Sequence, residues 1–141
     1  LLIVGDGRER EKLKTLVQKK GLSKDVIFTG ALERKLVYGL LKVINIFSIT
    51  SQTEGFCNTM VEALAASKPV VCSDIEALKE VAGEAALFAE EGEPQSFAKQ
   101  FLKLLGDKKL YNDMERKAGE RAKQFSLEIC TKRHLEVYEV G

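Results

Sequence analysis

Two glutamates, separated by seven residues, are the side chains of this sequence best placed to bind a ligand. Glu54 lies in a turn made permissive by Gly55, and Glu62 interrupts the apolar stretch from Met60 to Ala66. A carboxylate in such a helix is costly to bury without a partner, so Glu62 should face a crevice or a hydrogen-bonding group. The N–H groups at a helix N-terminus attract phosphate, and carboxylates accept hydrogen bonds from sugar hydroxyls. The pair therefore predicts a site for a sugar phosphate.

The same residues also have a purely structural interpretation. Asn58 could cap the helix, Glu62 could interact favourably with the helix dipole, and Glu54 could be a solvated loop acid. Spacing alone leaves both interpretations open.

Other turns that could bind a ligand follow the apolar runs. Gly5-Asp6-Gly7 resembles the start of a dinucleotide-binding fingerprint, but Arg10 occupies the position of the third glycine. This turn either supplies backbone angles only or faces a phosphate or ribose. Ligands of open parallel sheets bind beyond the carboxyl ends of the strands. We therefore expect one shared edge for the turns 5–7, 29–31, 51–58 and 73–74.

The elements that must position these turns alternate between strand and helix. Such alternation indicates βαβ units, and continuously apolar strands are typical of a parallel sheet buried on both faces. The predicted fold is an α/β, Rossmann-like three-layer sandwich with a parallel sheet. The predicted strands are Leu1–Val4, Val26–Thr29, Ile44–Thr50, Pro69–Cys72 and Ala85–Ala89.

Helices are predicted from apolar stripes and from residues that start or stop a helix. Gly21 should end the first helix, and Glu33 should open a short second one. A further helix follows Pro94, Asp107 should cap the next, and Ser126 should open the last. The final helix carries His134 on an apolar stripe, which favours a packing or interface role over catalysis.

Composition excludes several classes of function. The chain has 141 residues, 45% of them hydrophobic, which fits one soluble domain, residues 1–141. Its 22 basic and 21 acidic residues give no basic patch, so nucleic acid is not expected as a partner. Cys57, Cys72 and Cys130 lack the spacing of a zinc site or disulfide framework and favour a reducing cytoplasm. Cys57 is best interpreted as a small loop residue. No apolar run is long enough to span a membrane.

The run from Glu54 to Val71 resembles the signature of the family 4 (group 1) retaining glycosyltransferases, including its two glutamates. The resemblance continues through Ser73-Asp74 and 80–83, and upstream it includes 4–7 and 28–30, so it covers essentially the whole chain. It implies the C-terminal, donor-binding half of a GT-B fold. The acceptor-binding N-terminal domain, and the first strand of this domain, would precede Leu1.

By this resemblance, the chain would hold the nucleotide diphosphate donor of a hexosyltransferase that acts with retention on a glycan or lipid acceptor. Glu54 would contact the transferred sugar as the catalytic residue, and Glu62 would bind the ribose. The family implies no metal and no cofactor, and a cytoplasmic enzyme that would meet a lipid acceptor at the inner face of the membrane. The remaining donor-binding residues would be Gly55, Phe56, Cys57, Asn58 and Thr59, with nucleotide contacts near Gly5, Gly7, Thr29, Gly30 and Ala31.

The sequence also departs from the family pattern. Ser67 stands where a glycine usually precedes Lys-Pro, and Ile75 to Glu80 replaces a glycine- and proline-containing segment. Two alternative functions remain at this point: a nucleotide-binding Rossmann-like module without turnover, and a GT-B sugar-nucleotide epimerase. Neither of these needs the glutamate pair.

Overall fold

The structure is a computed structural model that describes residues 1–139, with Glu139 described by its backbone alone. Within these residues it contains five β-strands and seven α-helices, and short 3₁₀ helices at Gly83–Ala85 and Lys123–Phe125. The strands are β1 (Leu2–Val4), β2 (Ile27–Gly30), β3 (Phe47–Ile49), β4 (Val70–Ser73) and β5 (Ala86–Ala89). The helices are α1 (Arg10–Lys19), α2 (Arg34–Val43), α3 (Asn58–Ala65), α4 (Glu76–Ala82), α5 (Pro94–Gly106), α6 (Lys108–Ala122) and α7 (Leu127–Glu139).

The chain divides into two compact units, Leu1–Leu40 and Leu41–Gly141. In the first unit, β1 and β2 pair in parallel, with Leu2 opposite Ile27. The register shifts after Ile3, so that Val4 lies opposite Gly30. This irregularity occurs at the carboxyl ends of both strands, where the glycine-containing turns begin.

The second unit is a three-stranded parallel sheet, in the order β3-β4-β5, with helices on both faces. Every residue of the central strand β4 is buried. Val70 and Cys72 belong to one apolar cluster with residues of α3, α4 and α6, whereas Val71 belongs to a second cluster with α5. Alternate side chains of one strand thus fill two cores, and the unit has three layers.

All five predicted strands are confirmed, with bounds that differ by at most three residues. Gly21 has a φ of +69° after α1, and the Asp107 carboxylate accepts a hydrogen bond from the Leu110 N–H at 2.9 Å. The Ser126 hydroxyl accepts one from the Ile129 N–H at 3.3 Å. The residues predicted to stop or start these helices therefore do so. Helix α4 was not predicted, because seven residues are too few to show a periodic apolar stripe.

Of the two roles predicted for His134, packing is not seen within the described residues, and an interface role stays a prediction. His134 is exposed, and its Nδ1 lies 2.7 Å from the Cys130 carbonyl oxygen in the preceding turn. Leu127 and Tyr138 on the same stripe are 84% and 80% exposed. Within residues 1–139, no helix combines the length and the apolar character that crossing a membrane requires.

Candidate functional site

The loop between β3 and α3 carries Glu54 at the carboxyl end of the second unit's sheet. The Glu54 side chain is half-buried, and its Oε1 accepts a hydrogen bond from the Ser51 hydroxyl at 2.8 Å. An ionised carboxylate has about four lone-pair positions, so this one bond orients the group without saturating it. Glu54 is therefore an oriented acceptor, unlike a freely solvated loop acid.

The three residues after Glu54 differ in exposure. Gly55 is exposed and has open space around its Cα, and Phe56 is 52% exposed. Cys57 is only 3% exposed and lies in the apolar cluster of α3 and α4. The chain is therefore anchored in the core at Cys57, which was interpreted as a small loop residue and is a small, buried residue at the end of the loop.

Helix α3 begins at Asn58, whereas a capping role for Asn58 would require the helix to begin at Thr59. Cys57 is the N-cap residue and makes no side-chain cap hydrogen bond, so Asn58 does not cap the helix. The N–H groups of Met60 and Val61 donate to the Cys57 carbonyl oxygen at 3.1 and 3.2 Å. Among the backbone hydrogen bonds of the described residues outside the helices and strands, none is donated by the Thr59 amide. The first turn thus retains the N–H donor and the positive dipole end that favour an anion.

Glu62 lies one turn further into the same helix. As residue i+4 from Asn58, it shares a helix face with that residue and lies about 6 Å further along the axis. Its side chain is half-buried, whereas its neighbours Met60, Ala63 and Leu64 are fully buried. Glu62 thus lies outside the two apolar clusters, and its predicted position facing a crevice or a hydrogen-bonding group stays a prediction.

The end of β4 adds a buried hydroxyl and an ion pair. Ser73 is fully buried, and within residues 1–139 its hydroxyl has no hydrogen-bond partner. The Asp74 carboxylate pairs with the Lys79 ammonium, and this hydrogen bond raises the pKa of Lys79. Burial, with smaller contributions from Cys57 and Asp74, raises the pKa of the Cys72 thiol to about 12. Cys72 is therefore an unreactive core residue.

The predicted nucleotide turns come together in the first unit. The Gly5 N–H donates to the Gly30 carbonyl oxygen at 2.9 Å, and the Thr29 hydroxyl donates to the same oxygen at 2.8 Å. Gly5 and Gly30 have φ angles of +117° and +70°, which side chains rarely adopt. Gly7 donates its N–H to Asp6 Oδ1 at 2.8 Å, and Ala31 is exposed. Backbone geometry therefore accounts for both glycines of the contact.

Arg10 links these turns and was not predicted as a site residue. Its Nη1 donates to Asp6 Oδ2 at 2.7 Å, and the guanidinium lies 3.4 Å from the position that a Gly30 Cβ would occupy. The arginine at the place of the third fingerprint glycine thus fills space beside Gly30. The signal that could have revealed it is the spacing of Asp6 and Arg10, four residues apart.

The predicted site residues therefore form two groups in different units. Residues 54–62 surround the start of α3 in the second unit, and the turns 5–7 and 29–31 meet in the first. Among the described residues, no three His, Cys, Asp or Glu side chains are grouped as metal ligands would be. Metal independence itself stays a prediction.

Comparison with known proteins identifies the family. Residues 1–121 match the family described as Glycosyl transferases group 1. An uncharacterized glycosyltransferase of Methanocaldococcus jannaschii (MJ1178) is 29% identical over 97% of this chain and 39% of its own length. The lipopolysaccharide core biosynthesis glycosyltransferase LpsD of Rhizobium meliloti is 31% identical over 100% of this chain and 41% of its own.

The fold also matches a solved structure. The crystal structure of Anabaena Alr3699/HepE in complex with UDP aligns with a TM-score of 0.87 and 24% identity, over 99% of this chain and 40% of that one. The chain belongs to the group 1 glycosyltransferases. The predicted α/β, Rossmann-like fold is confirmed, and the match is consistent with the C-terminal half of a GT-B fold. The chain spans about two fifths of the length of these relatives.

Proposed function

We propose that this chain holds the donor of a retaining glycosyltransferase, which transfers a hexose from a nucleotide diphosphate sugar to a glycan or lipid acceptor. The observation that carries the proposal is the arrangement around α3. An oriented, half-buried Glu54 precedes a helix start with an unpartnered N–H, and a half-buried Glu62 follows one turn later. Family membership supplies the reaction class, and the relative HepE was crystallised in complex with UDP.

Glu54 is the proposed catalytic residue. Its Ser51 hydrogen bond fixes the carboxylate before a ligand arrives, which lowers the entropic cost of binding sugar hydroxyls. The carboxylate would position the sugar and stabilise positive charge that develops at the anomeric carbon. Retention would follow from attack on the same face as the departing phosphate, which accepts the proton of the acceptor hydroxyl. Glu54 forms no covalent bond in this scheme.

The diphosphate would lie against the amides of residues 55–59. An aligned helix carries about half a positive charge at its N-terminus, and unpaired amides such as that of Thr59 point toward an anion. This arrangement stabilises the leaving group without a metal ion. Glu62, one turn deeper, would accept hydrogen bonds from the ribose hydroxyls.

The first unit carries the proposed contacts to the nucleoside. We propose that the backbone at Gly5, Gly7 and 29–31 faces the nucleoside, because the contact between Gly5 and Gly30 holds the two turns in one fixed geometry. The acceptor would be bound by a further domain of the full-length protein. The role of the relative LpsD in lipopolysaccharide core biosynthesis favours a glycan or lipid acceptor. We propose that the full-length protein is cytoplasmic and would meet a lipid acceptor at the inner face of the membrane.

Transfer by the full-length protein that carries Glu54→Gln tests the proposal. The amide keeps the size of the carboxylate but removes its charge. Because a hydrogen bond to a charged group is stronger than one to a neutral group, its loss should lower kcat about 10- to 100-fold. Glu84→Gln is the matched control, because Glu84 is an exposed carboxylate at the amino end of β5, at the opposite edge of the sheet. Full activity of Glu54→Gln would refute the assigned role.

The same assay distinguishes the alternative functions. A nucleotide-binding module would bind the donor without releasing nucleoside diphosphate, and an epimerase would return a nucleotide sugar of altered configuration. Proton NMR of the product measures the anomeric coupling and so reports retention. An inverted product would contradict the proposed mechanism while leaving donor binding intact.

A further inference from the structure

Phe56 occupies an unusual position for a large apolar side chain. It lies between the oriented Glu54 and the buried Cys57, yet it is 52% exposed. Its ring contacts the ring of Phe125 in an edge-to-face geometry, with centroids 5.9 Å apart and planes inclined by 64°. Two contacts therefore restrain the loop at Phe56: this ring contact, and the hydrogen bond that the Asn58 N–H donates to the Phe56 carbonyl oxygen at 3.1 Å.

Phe125 is itself held by an arginine. It ends the short 3₁₀ helix after α6 and packs against the apolar cluster of α3 and α4. The guanidinium carbon of Arg121 lies 5.2 Å from the centre of the Phe125 ring, a cation–π geometry. The ring is therefore fixed on one side by a cation and on another by the core.

The Arg121 guanidinium is fixed in turn by the end of α4. Its Nε donates to the Val81 carbonyl oxygen at 2.8 Å, and its Nη2 donates to the Glu80 carbonyl oxygen. Gly83 lies beside this contact: its φ of +55° favours glycine, and a Cβ there would be in ordinary van der Waals contact with the guanidinium carbon, at 3.5 Å. A lysine could not make this two-pronged contact, since its ammonium lacks the planar fork.

We propose that Arg121 and Phe125 are positioning residues for the Glu54 loop. The chain of contacts runs from the α4 carbonyls through Arg121 and Phe125 to Phe56, two residues from Glu54. Helix α6 thereby fixes a loop that lies about 70 residues earlier in the sequence. This inference rests on the proposed function of Glu54, and it assigns to the end of α6 a role in the geometry of sugar transfer.

The test is steady-state transfer by the full-length protein, with UDP-glucose as the donor probe. Phe125→Leu keeps an apolar side chain, although a smaller one, and removes the ring contacts, so kcat should fall about three- to tenfold. The affinity for UDP should stay within about twofold, the scatter expected of an unperturbed site. Phe125→Tyr keeps the ring and should restore kcat. Phe101→Leu is the matched control, because that partly buried aromatic packs in the other cluster, with α5.

Two further variants separate positioning from loss of folding. Phe56→Leu removes the same ring pair from a half-exposed site and should reproduce the kcat loss with little change in thermal stability. If Phe125 acts through Glu54, Phe125→Leu should cost less kcat in the Glu54→Gln background than in the wild type. Unchanged kcat in Phe125→Leu and Phe56→Leu, or fully additive losses, would overturn the inference. If the wild type transfers and Glu54→Gln is impaired, that result leaves the proposed function standing.

Discussion

Ser67 provides a quantitative test of how the end of α3 is built. It has a φ of +54°, while its N–H donates to the Leu64 carbonyl oxygen at 2.8 Å and the Lys68 N–H donates to that of Ala63 at 3.0 Å. These are the two bonds of a Schellman motif, whose left-handed residue is usually glycine. A side chain there costs about 1–2 kcal/mol, and glycine loses about 0.4–1 kcal/mol more backbone entropy on folding. Ser67→Gly should therefore stabilise the chain by about 0.5–1 kcal/mol.

Gly119 in α6 faces the same serine. A Cβ on Gly119 would lie 2.8 Å from the Ser67 Oγ, closer than van der Waals contact allows. Gly119→Ala should stabilise the helix by about 1 kcal/mol through its higher helix propensity. It also forces the Ser67 hydroxyl away from its preferred rotamer, which costs about 0.5–1.5 kcal/mol. The single variant should be near neutral. In the Ser67→Gly background the obstacle is absent, and the full propensity gain should appear.

A double-mutant cycle by urea denaturation measures this coupling. The double variant should be about 1.5–2 kcal/mol more stable than the wild type, which exceeds the sum of the single effects by about 1 kcal/mol. Each kcal/mol should raise the melting temperature by about 2–4 °C. Gly39→Ala is the matched control, because Gly39 is a helical glycine in α2 with open space around its Cα. Destabilisation by Ser67→Gly, or strict additivity, would refute the reasoning.

Three further predictions concern the core, a helix cap and the reaction. Cys72 has an ordinary pKa of 9.0, which applies to the unfolded chain, and a pKa of about 12 in the folded chain, so the free energy of unfolding should fall as pH rises between these values. In denaturation series from about pH 8 to 11, Cys72→Ala should lose less stability than the wild type. Asp107→Ala should cost about 1 kcal/mol in urea denaturation because it removes the cap on the Leu110 N–H, whereas Asp107→Asn should retain most of that stability. Transfer by the full-length protein should be unchanged by EDTA; loss of activity that Mg²⁺ or Mn²⁺ restores would contradict the metal-free mechanism.

The sequence was sufficient to predict local features that depend on neighbouring residues. Strand β4 was predicted from its continuous apolar run, and the caps at Asp107 and Ser126 from a single polar residue before each helix. Ser67 was identified as a departure from the family glycine, and its φ of +54° gives the physical reason for that glycine.

Features that depend on distant contacts could not be predicted. The guanidinium of Arg10 beside Gly30, and the contact between Phe56 and Phe125, join residues that no local spacing relates. His134 was expected to pack or to lie in an interface because it belongs to an apolar stripe, but a stripe shows only which side chains share a helix face, not what covers them. The Glu54 site was predicted from its residue types, whereas its orientation by Ser51 required the structure.

The most direct test of the donor site is calorimetric titration of the full-length protein with UDP and with UDP-glucose. If Glu54 binds the sugar and Glu62 the ribose, Glu54→Gln should weaken UDP-glucose by about tenfold or more and leave UDP unchanged. Glu62→Gln should weaken both ligands by the same factor. Equal loss of both ligands in Glu54→Gln, or unchanged binding in both variants, would contradict the assignment of this segment as the donor site.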